Sequence, residues 1–150
     1  MPPHDAPAGA VVQAGLPTTH QGRALRRARW LFLGAGAYGL IALVPQYFMG
    51  PQASPHAAAA LTHFGFVGVA LAWQLAFLLI ASDVVRYRLF MLPAVAEKLA
   101  FGVPALVLCL QGRADAALAM AAGVDLLLAL LFALAFAATG APGANARGRA

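Results

Sequence analysis

The residues of this chain best suited to chemistry are three ionisable side chains that fall inside long apolar stretches: Glu97, Lys98 and Asp125. A central Asp or Lys in a membrane-spanning helix costs about 2.5–3.5 kcal/mol on insertion scales, so such residues face a bundle interior and often mark ion or proton pathways. Glu97 and Lys98 are adjacent, about one turn beyond Pro93. Such a group is able to bind a small ligand, or to take up and release a proton.

The three residues differ in their predicted depth. At about 1.5 Å per residue, Asp125 lies about 12 Å from the end of its apolar stretch, near the midplane, and Glu97 lies only about 7–8 Å inside. Lys98 is close enough to that nearer interface for its ammonium to extend into the headgroup region. Asp125 is therefore the most costly of the three.

A second apolar stretch carries two polar residues, His63 and Gln74, which are eleven positions apart. That interval is close to three helical turns, so both residues share one face, and this face should turn inward because lipid cannot satisfy their polar groups. We expect Asp125 to lie within hydrogen-bond reach of a side chain on the second or third span. His63 and Gln74 are the favoured partners.

Two interpretations of this polar cluster stay open. In the plainer one, Asp125 with His63 or Gln74 locks the helices in register. In the other, the cluster is a site for a small ligand or a proton. Glu97 and Lys98, as a neighbouring pair, are more typical of helix packing near an interface than of catalysis.

Other chemistry has little support in the sequence. Cys109 is the single cysteine, so one chain has neither an intrachain disulfide nor a cysteine-based metal site. His56 and His63 are seven residues apart and lack a third ligand, and no motif supports His63 as a haem ligand. No nucleophile motif, phosphate loop or dinucleotide fingerprint is present. We therefore predict no metal and no cofactor, and favour a protein that is not an enzyme.

The composition places these residues in a membrane protein. The chain has 150 residues, of which 62% are hydrophobic and 10% charged, whereas a soluble domain has about 25% charged residues. Four apolar runs approach the roughly 20 residues that cross a bilayer. We predict an all-α membrane protein, a four-helix transmembrane bundle. Its spans are residues 30–49, 61–81, 89–111 and 117–138.

The segments outside the spans are predicted to be tails and short loops. Residues 1–29 are predicted to be a disordered basic cytoplasmic tail, and residues 139–150 a flexible cytoplasmic tail. A basic stretch before an apolar run also describes a signal peptide, but no convincing small-residue cleavage site precedes Pro45. Ser54 and Pro55 form an N-cap and N1 pair that would start the second helix early.

The arginines indicate the orientation. Eight lie on the side that holds both termini and the connection between spans 2 and 3, and only Arg113 lies opposite. Because cytoplasmic segments are enriched in Lys and Arg, both termini should be cytoplasmic. The heavy use of Ala, and of Arg over Lys, indicates a bacterial chain, so we expect the membrane to be the bacterial inner membrane. The same arginine side chains are candidates for anionic lipid headgroups rather than for nucleic acid. The candidate residues are Arg23, Arg26, Arg27, Arg29, Arg86 and Arg88.

Two features predict how the helices pack. Gly34, Tyr38, Ala42 and Pro45 recur at steps of three and four, and their small members would let a neighbouring helix approach closely. Pro45 should kink or help to end the first helix, and Pro104 should kink the third.

The segment from His63 to Arg113 carries the elements R-Y-R, L-P-A-V-x-E-K-L and Q-G-R, followed by the aspartate early in the last span. With these elements the chain resembles uncharacterised small bacterial integral membrane proteins with four spans. The layout is also faintly similar to that of DoxX-like four-helix membrane proteins, without a shared motif. The resemblance implies the architecture and implies no activity.

Two classes of function follow. The first is a non-enzymatic membrane module or accessory subunit, whose polar residues serve packing and assembly with lipid, with other membrane proteins or with further copies of the chain. The alternative is a small-ligand or proton-handling membrane protein. If Asp125, Glu97, His63 and Gln74 converge on a cavity, the second class is favoured.

Overall fold

The computed structural model describes residues 19–50 and 57–140, which form four long helices. Helix α1 spans Thr19–Met49, α2 Ala57–Ser82, α3 Met91–Leu110 and α4 Ala116–Ala138, with a 3-10 turn at Arg88–Phe90 before α3. Each helix is long and apolar enough to cross a membrane. The predicted fold class, an all-α bundle of four transmembrane helices, is confirmed.

The largest difference from the predicted boundaries is at the start of α1. The helix begins at Thr19, so the expectation of disorder through residue 29 is wrong for residues 19–29. This segment holds no proline and contains four arginines and two alanines, which are good helix formers. Pro45 lies within α1 and does not end it. Residues 1–18, the Ser54–Pro55 pair and residues 141–150 lie outside the described residues.

The turn between α3 and α4 is built from local chemistry. Gly112 follows α3 with a φ of 67°, in the left-handed region that glycine enters without a Cβ clash. Asp115 is the N-cap of α4, and its Oδ1 accepts a hydrogen bond from the Leu118 amide at 2.8 Å. A short side chain with a free oxygen is what an exposed helix start requires.

The helices pack as two antiparallel hairpins. α1 packs closely on α2, and α3 packs closely on α4. α1 also contacts α4, while α2 and α3 barely touch. One end of the bundle holds the start of α1, the α2–α3 turn and the end of α4, and we call it the arginine-rich end. The other end, with the α1–α2 connection and the α3–α4 turn, is the opposite end.

The core lies toward the arginine-rich end and is built on three fully buried phenylalanines. The Phe32 ring stacks on Phe132 at a centroid distance of 4.2 Å. Phe77 meets Phe132 edge to face at 5.1 Å and Phe32 at 6.1 Å. Ala28, Ala81 and Ala94 fill the space around them. These rings join the two hairpins, since α1 and α2 contribute one each and α4 the third.

The close approach of α1 and α2 uses different glycines from those predicted. A Cβ on Gly36 would lie 2.8 Å from Leu78 Cδ2 and 3.1 Å from the Gln74 carbonyl oxygen, and one on Gly39 would collide with the Gln74 side chain. Gly34, on the predicted face, has open space around it. The predicted face Gly34–Tyr38–Ala42–Pro45 is thus not where α2 approaches most closely.

The close approach of α2 at Gly36 predicts different effects on stability for two Gly→Ala substitutions in α1. Gly36→Ala should lower the free energy of unfolding in detergent by about 1–3 kcal/mol, because the added methyl overpacks against α2. Gly34→Ala is the matched control and should be neutral or stabilising, because alanine is favoured over glycine in a helix by about 1 kcal/mol. Equal effects of the two changes would contradict the close approach at Gly36.

Candidate functional site

The three ionisable residues inside the spans form one contact group, which we call the charged triad: Glu97, Lys98 and Asp125. Lys98 Nζ lies 3.2 Å from Glu97 Oε2 and 3.2 Å from Asp125 Oδ1. It also donates to Glu97 Oε1 at 3.4 Å. The Lys98 side chain is only 7% exposed. One buried ammonium therefore bridges two carboxylates on two different helices.

The local sequence of α3 explains this placement. Lys98 belongs to a buried stripe of small residues, Ala94, Gly102 and Ala105, at helical spacing. A Cβ on Gly102 would lie 2.9 Å from the Leu126 side chain, so the glycine lets α4 come close at this level. The lysine side chain then needs to cross only a narrow gap to reach α4. The expectation that Lys98 extends to the headgroup region is wrong, because its ammonium points into the bundle.

As predicted, the partner of Asp125 lies on the second or third helix, but it is not His63 or Gln74. His63 Nε2 lies 3.1 Å from the Gln46 carbonyl oxygen, near the end of α1. The His63 ring therefore makes a polar contact with one of the last carbonyl groups of α1, which have no hydrogen-bond partner within the helix. Gln74 Nε2 donates to the Ala70 carbonyl of its own helix at 2.9 Å. The two residues share the inward face of α2, yet neither completes the triad.

A cavity of about 670 Å³ lies beside the triad, between the two hairpins. All four helices line it, and Glu97, Lys98, Asp125 and Gln74 are among the lining residues, whereas His63 is not. Three of the four polar residues whose convergence would favour a ligand or proton site therefore meet at the cavity. Lys98 Nζ sits 5.4 Å from the centre of the Phe77 ring, so the triad lies where the cavity meets the aromatic core. The aromatic residues of the wall are Tyr38, Phe66, Trp73 and Phe101.

The charges of the triad do not balance. With two carboxylates around one ammonium, the fully ionised group carries one surplus negative charge. Glu97 Oε2 is buried without a hydrogen bond, although it is close to Lys98 Nζ. A buried charge that lacks a partner is costly. The site therefore favours one added positive charge, whether a proton or a cationic ligand.

At the arginine-rich end, Arg88 makes a contact with α4 that the sequence did not predict. Its Nη2 donates to the Phe136 carbonyl near the end of α4 at 2.8 Å, and its guanidinium lies 3.9 Å from the centre of the Phe136 ring. A cation at a helix C-terminus is favoured by the helix dipole. Arg88 thus joins the α2–α3 turn to α4, while its candidacy for lipid headgroups stays a prediction.

The remaining arginine candidates keep exposed side chains. Arg23 lies 3.2 Å from His20 Nδ1 on the same helix, and Arg86 lies 5.5 Å from the Tyr87 ring. The exposed set consists of Arg23, Arg26, Arg27, Arg29 and Arg86. These side chains remain accessible to headgroups at the surface.

The two arginines of the α2–α3 turn form a matched pair for mutation. Arg88→Ala should lower the free energy of unfolding by about 1.5–3 kcal/mol, the range for a hydrogen bond to a charged group. Arg86→Ala should change it by less than about 0.5 kcal/mol, as for an exposed side chain. Chemical denaturation in detergent measures both. Similar values would show that the α4 contact contributes nothing.

Fold and site together define a multi-pass helical membrane protein with a charged triad beside a cavity inside the membrane. Comparisons of the chain with protein-family models, with curated proteins and with solved structures give no match. The resemblance to small bacterial four-span proteins stays a prediction, and the function has to be argued from the site itself.

Proposed function

We propose that this chain is a membrane protein that handles a small ligand or a proton at the charged triad. The observation that carries the proposal is the surplus carboxylate of the triad beside a cavity of about 670 Å³. Pockets for small molecules are typically concave and mostly apolar, with a few converging polar groups and volumes of about 300–1,000 Å³. This cavity has each of those properties.

The competing class is the non-enzymatic module or accessory subunit, in which the triad contributes only to helix packing. A pure packing device would be expected to balance its charges, since ionisable residues in spans pair with one another. The surplus carboxylate and the adjoining cavity favour the site. From the distribution of the arginines we propose that both termini are cytoplasmic and that anionic headgroups surround the exposed arginines. From the composition and the resemblance we propose a bacterial inner membrane.

The variant Asp125→Asn distinguishes a ligand or proton site from a packing device. The variant keeps a neutral Glu97–Lys98 pair, so the free energy of unfolding should fall by about 1.5 kcal/mol or less, the lower value for one charge-assisted hydrogen bond. Proton binding should change instead. In infrared difference spectra recorded across a pH titration, we expect the buried carboxyl band of the native protein to be lost in the variant.

Asp115→Asn is the control for this experiment. Asp115 is exposed at the N-cap of α4, and asparagine is an equally good N-cap, so this variant should keep both stability and the buried carboxyl band. Failure of Asp125→Asn to fold, with no titrating carboxyl in the native protein, would support the packing device and overturn the proposal.

A further inference from the structure

We infer that the cavity binds a small amphipathic organic cation, whose positive charge lies against the carboxylates of Glu97 and Asp125. This inference rests on the proposed function, because it names the ligand class of the same site.

The acceptors of the triad outnumber its donors. Two ionised carboxylates offer four oxygens, and an ammonium has only three N–H groups. Glu97 Oε2 is buried and accepts no hydrogen bond. Among the residues that line the cavity, Glu97 and Asp125 are the acids and Lys98 is the sole base. A ligand that brings a positive charge neutralises this group, and a ligand that brings a negative charge adds to the surplus.

Lys98 is poorly placed to attract an anion. Its ammonium lies between the two carboxylates at 3.2 Å from each, and the Phe77 ring lies 5.4 Å away. An anion in the cavity would have to displace a carboxylate from this position. The charge that the triad presents to the cavity is therefore negative.

The wall of the cavity suits a cation with an apolar body. Tyr38, Phe66, Trp73 and Phe101 supply aromatic faces, whose negative potential attracts cations within about 6 Å. Most of the other lining residues are alanine, valine and leucine. A strongly hydrated inorganic ion would leave this apolar surface without a partner, whereas an alkyl or aryl group would cover it. The two features together specify an amphipathic organic cation.

The weakly packed seam between α2 and α3 offers a route for such a ligand. The backbones of these helices barely touch, and across the seam the rings of Phe66 and Phe101 meet at 5.7 Å. Both rings line the cavity, and Phe66 is half exposed. A ligand with an apolar body can reach the cavity from the bilayer by displacing these two side chains.

Trp73 provides a direct test, because it lines the cavity and the chain has only one other tryptophan, the exposed Trp30. Full-length Trp30→Phe protein in liposomes of zwitterionic lipid, which contain no other protein, would be titrated while the fluorescence of Trp73 is recorded. Each affinity is expressed per probe concentration in the bilayer, from partitioning measured in protein-free liposomes, because the membrane dipole potential alone favours hydrophobic anions. The probes are tetraphenylphosphonium, its anionic counterpart tetraphenylborate, and neutral triphenylphosphine oxide. We expect saturable quenching by the cation, with an affinity at least about tenfold higher than for the anion or the neutral probe.

Two further variants reverse or cancel the charge of the site. Asp125→Asn leaves the triad neutral, so the preference for the cation over the anion should disappear. Glu97→Gln/Asp125→Asn leaves Lys98 as the only charge, so the preference should reverse in favour of tetraphenylborate. If the double variant does not fold, the single variant still tests the prediction. Retained preference for the cation in a folded variant would overturn the inference.

The outcomes also separate this inference from the proposed function. Saturable binding of all three probes with equal affinity, or preference for the anion in the unsubstituted triad, would overturn the cationic ligand class and leave a ligand cavity standing. If no probe gives saturable quenching, the ligand class is overturned. If, in addition, the infrared carboxyl band is the same in the native protein and in Asp125→Asn, the proposed function is overturned as well.

Discussion

Lys98→Met should be the most damaging single substitution in the triad, with a loss of about 3–5 kcal/mol in the free energy of unfolding, the range for removing one partner of a buried ion pair. The methionine fills a similar volume but leaves the partly buried Glu97 and Asp125 carboxylates without their shared cation. We expect the variant to unfold at a much lower denaturant concentration in detergent, or to fail to accumulate in membranes.

The control removes the charges of the whole triad. The triple variant Glu97→Gln/Lys98→Met/Asp125→Asn should regain most of the stability lost in Lys98→Met, because replacing a complete buried ionic group by neutral residues is often neutral or stabilising. A double-mutant cycle gives the coupling energy between Lys98 and the two acids directly. Its four proteins are the unsubstituted chain, Lys98→Met, Glu97→Gln/Asp125→Asn and the triple variant. Additive effects would show that the three side chains do not interact, contrary to their distances of 3.2 Å.

Phe77→Ala should have the second largest effect, because its ring contacts both the aromatic core and the triad. The ring is fully buried, meets Phe32, Trp73 and Phe132, and lies beneath Lys98 Nζ. A Phe→Ala change in a buried core costs about 3–5 kcal/mol. Since helix association in lipid depends on packing rather than on transfer from water, we expect about 3 kcal/mol, the lower end of that range.

Phe90→Ala is the matched control, since Phe90 is half exposed and its ring centroid lies 6.4 Å from that of Tyr87. Its effect should stay below about 0.5 kcal/mol, the usual limit for exposed positions. Unfolding in detergent, followed by circular dichroism, measures both variants. A Phe77→Ala protein as stable as Phe90→Ala would show that the aromatic core does not hold the two hairpins together.

The helices themselves were predictable because the signals for them are local. Span length depends on the run of apolar residues, and the Pro-free, Arg- and Ala-rich segment before Trp30 contained the signal for the earlier start of α1, which was missed. The inward orientation of Asp125 followed from the inability of lipid to satisfy a carboxylate.

The packing partners were not predictable from the same information. The helices of this chain are apolar over most of their surface, so periodicity does not identify the face that meets a neighbour. Gly34 and Gly36 are therefore equivalent in sequence, and only the structure shows that α2 approaches Gly36. The role of Phe77 between core and triad was likewise missed, since no motif distinguishes it from the other phenylalanines.

The sequence by itself determined that four helices of this chain suit a membrane, that charged residues lie within them, and that Asp125 needs a partner. The tertiary structure decided which residue is the partner of Asp125. Lys98 reaches from α3 to Asp125, while His63 contacts a carbonyl near the end of α1. It also decided that the triad borders a cavity. The reason is that pairing depends on the rotation and separation of helices, which long-range packing sets and which the order of residues along one helix does not contain.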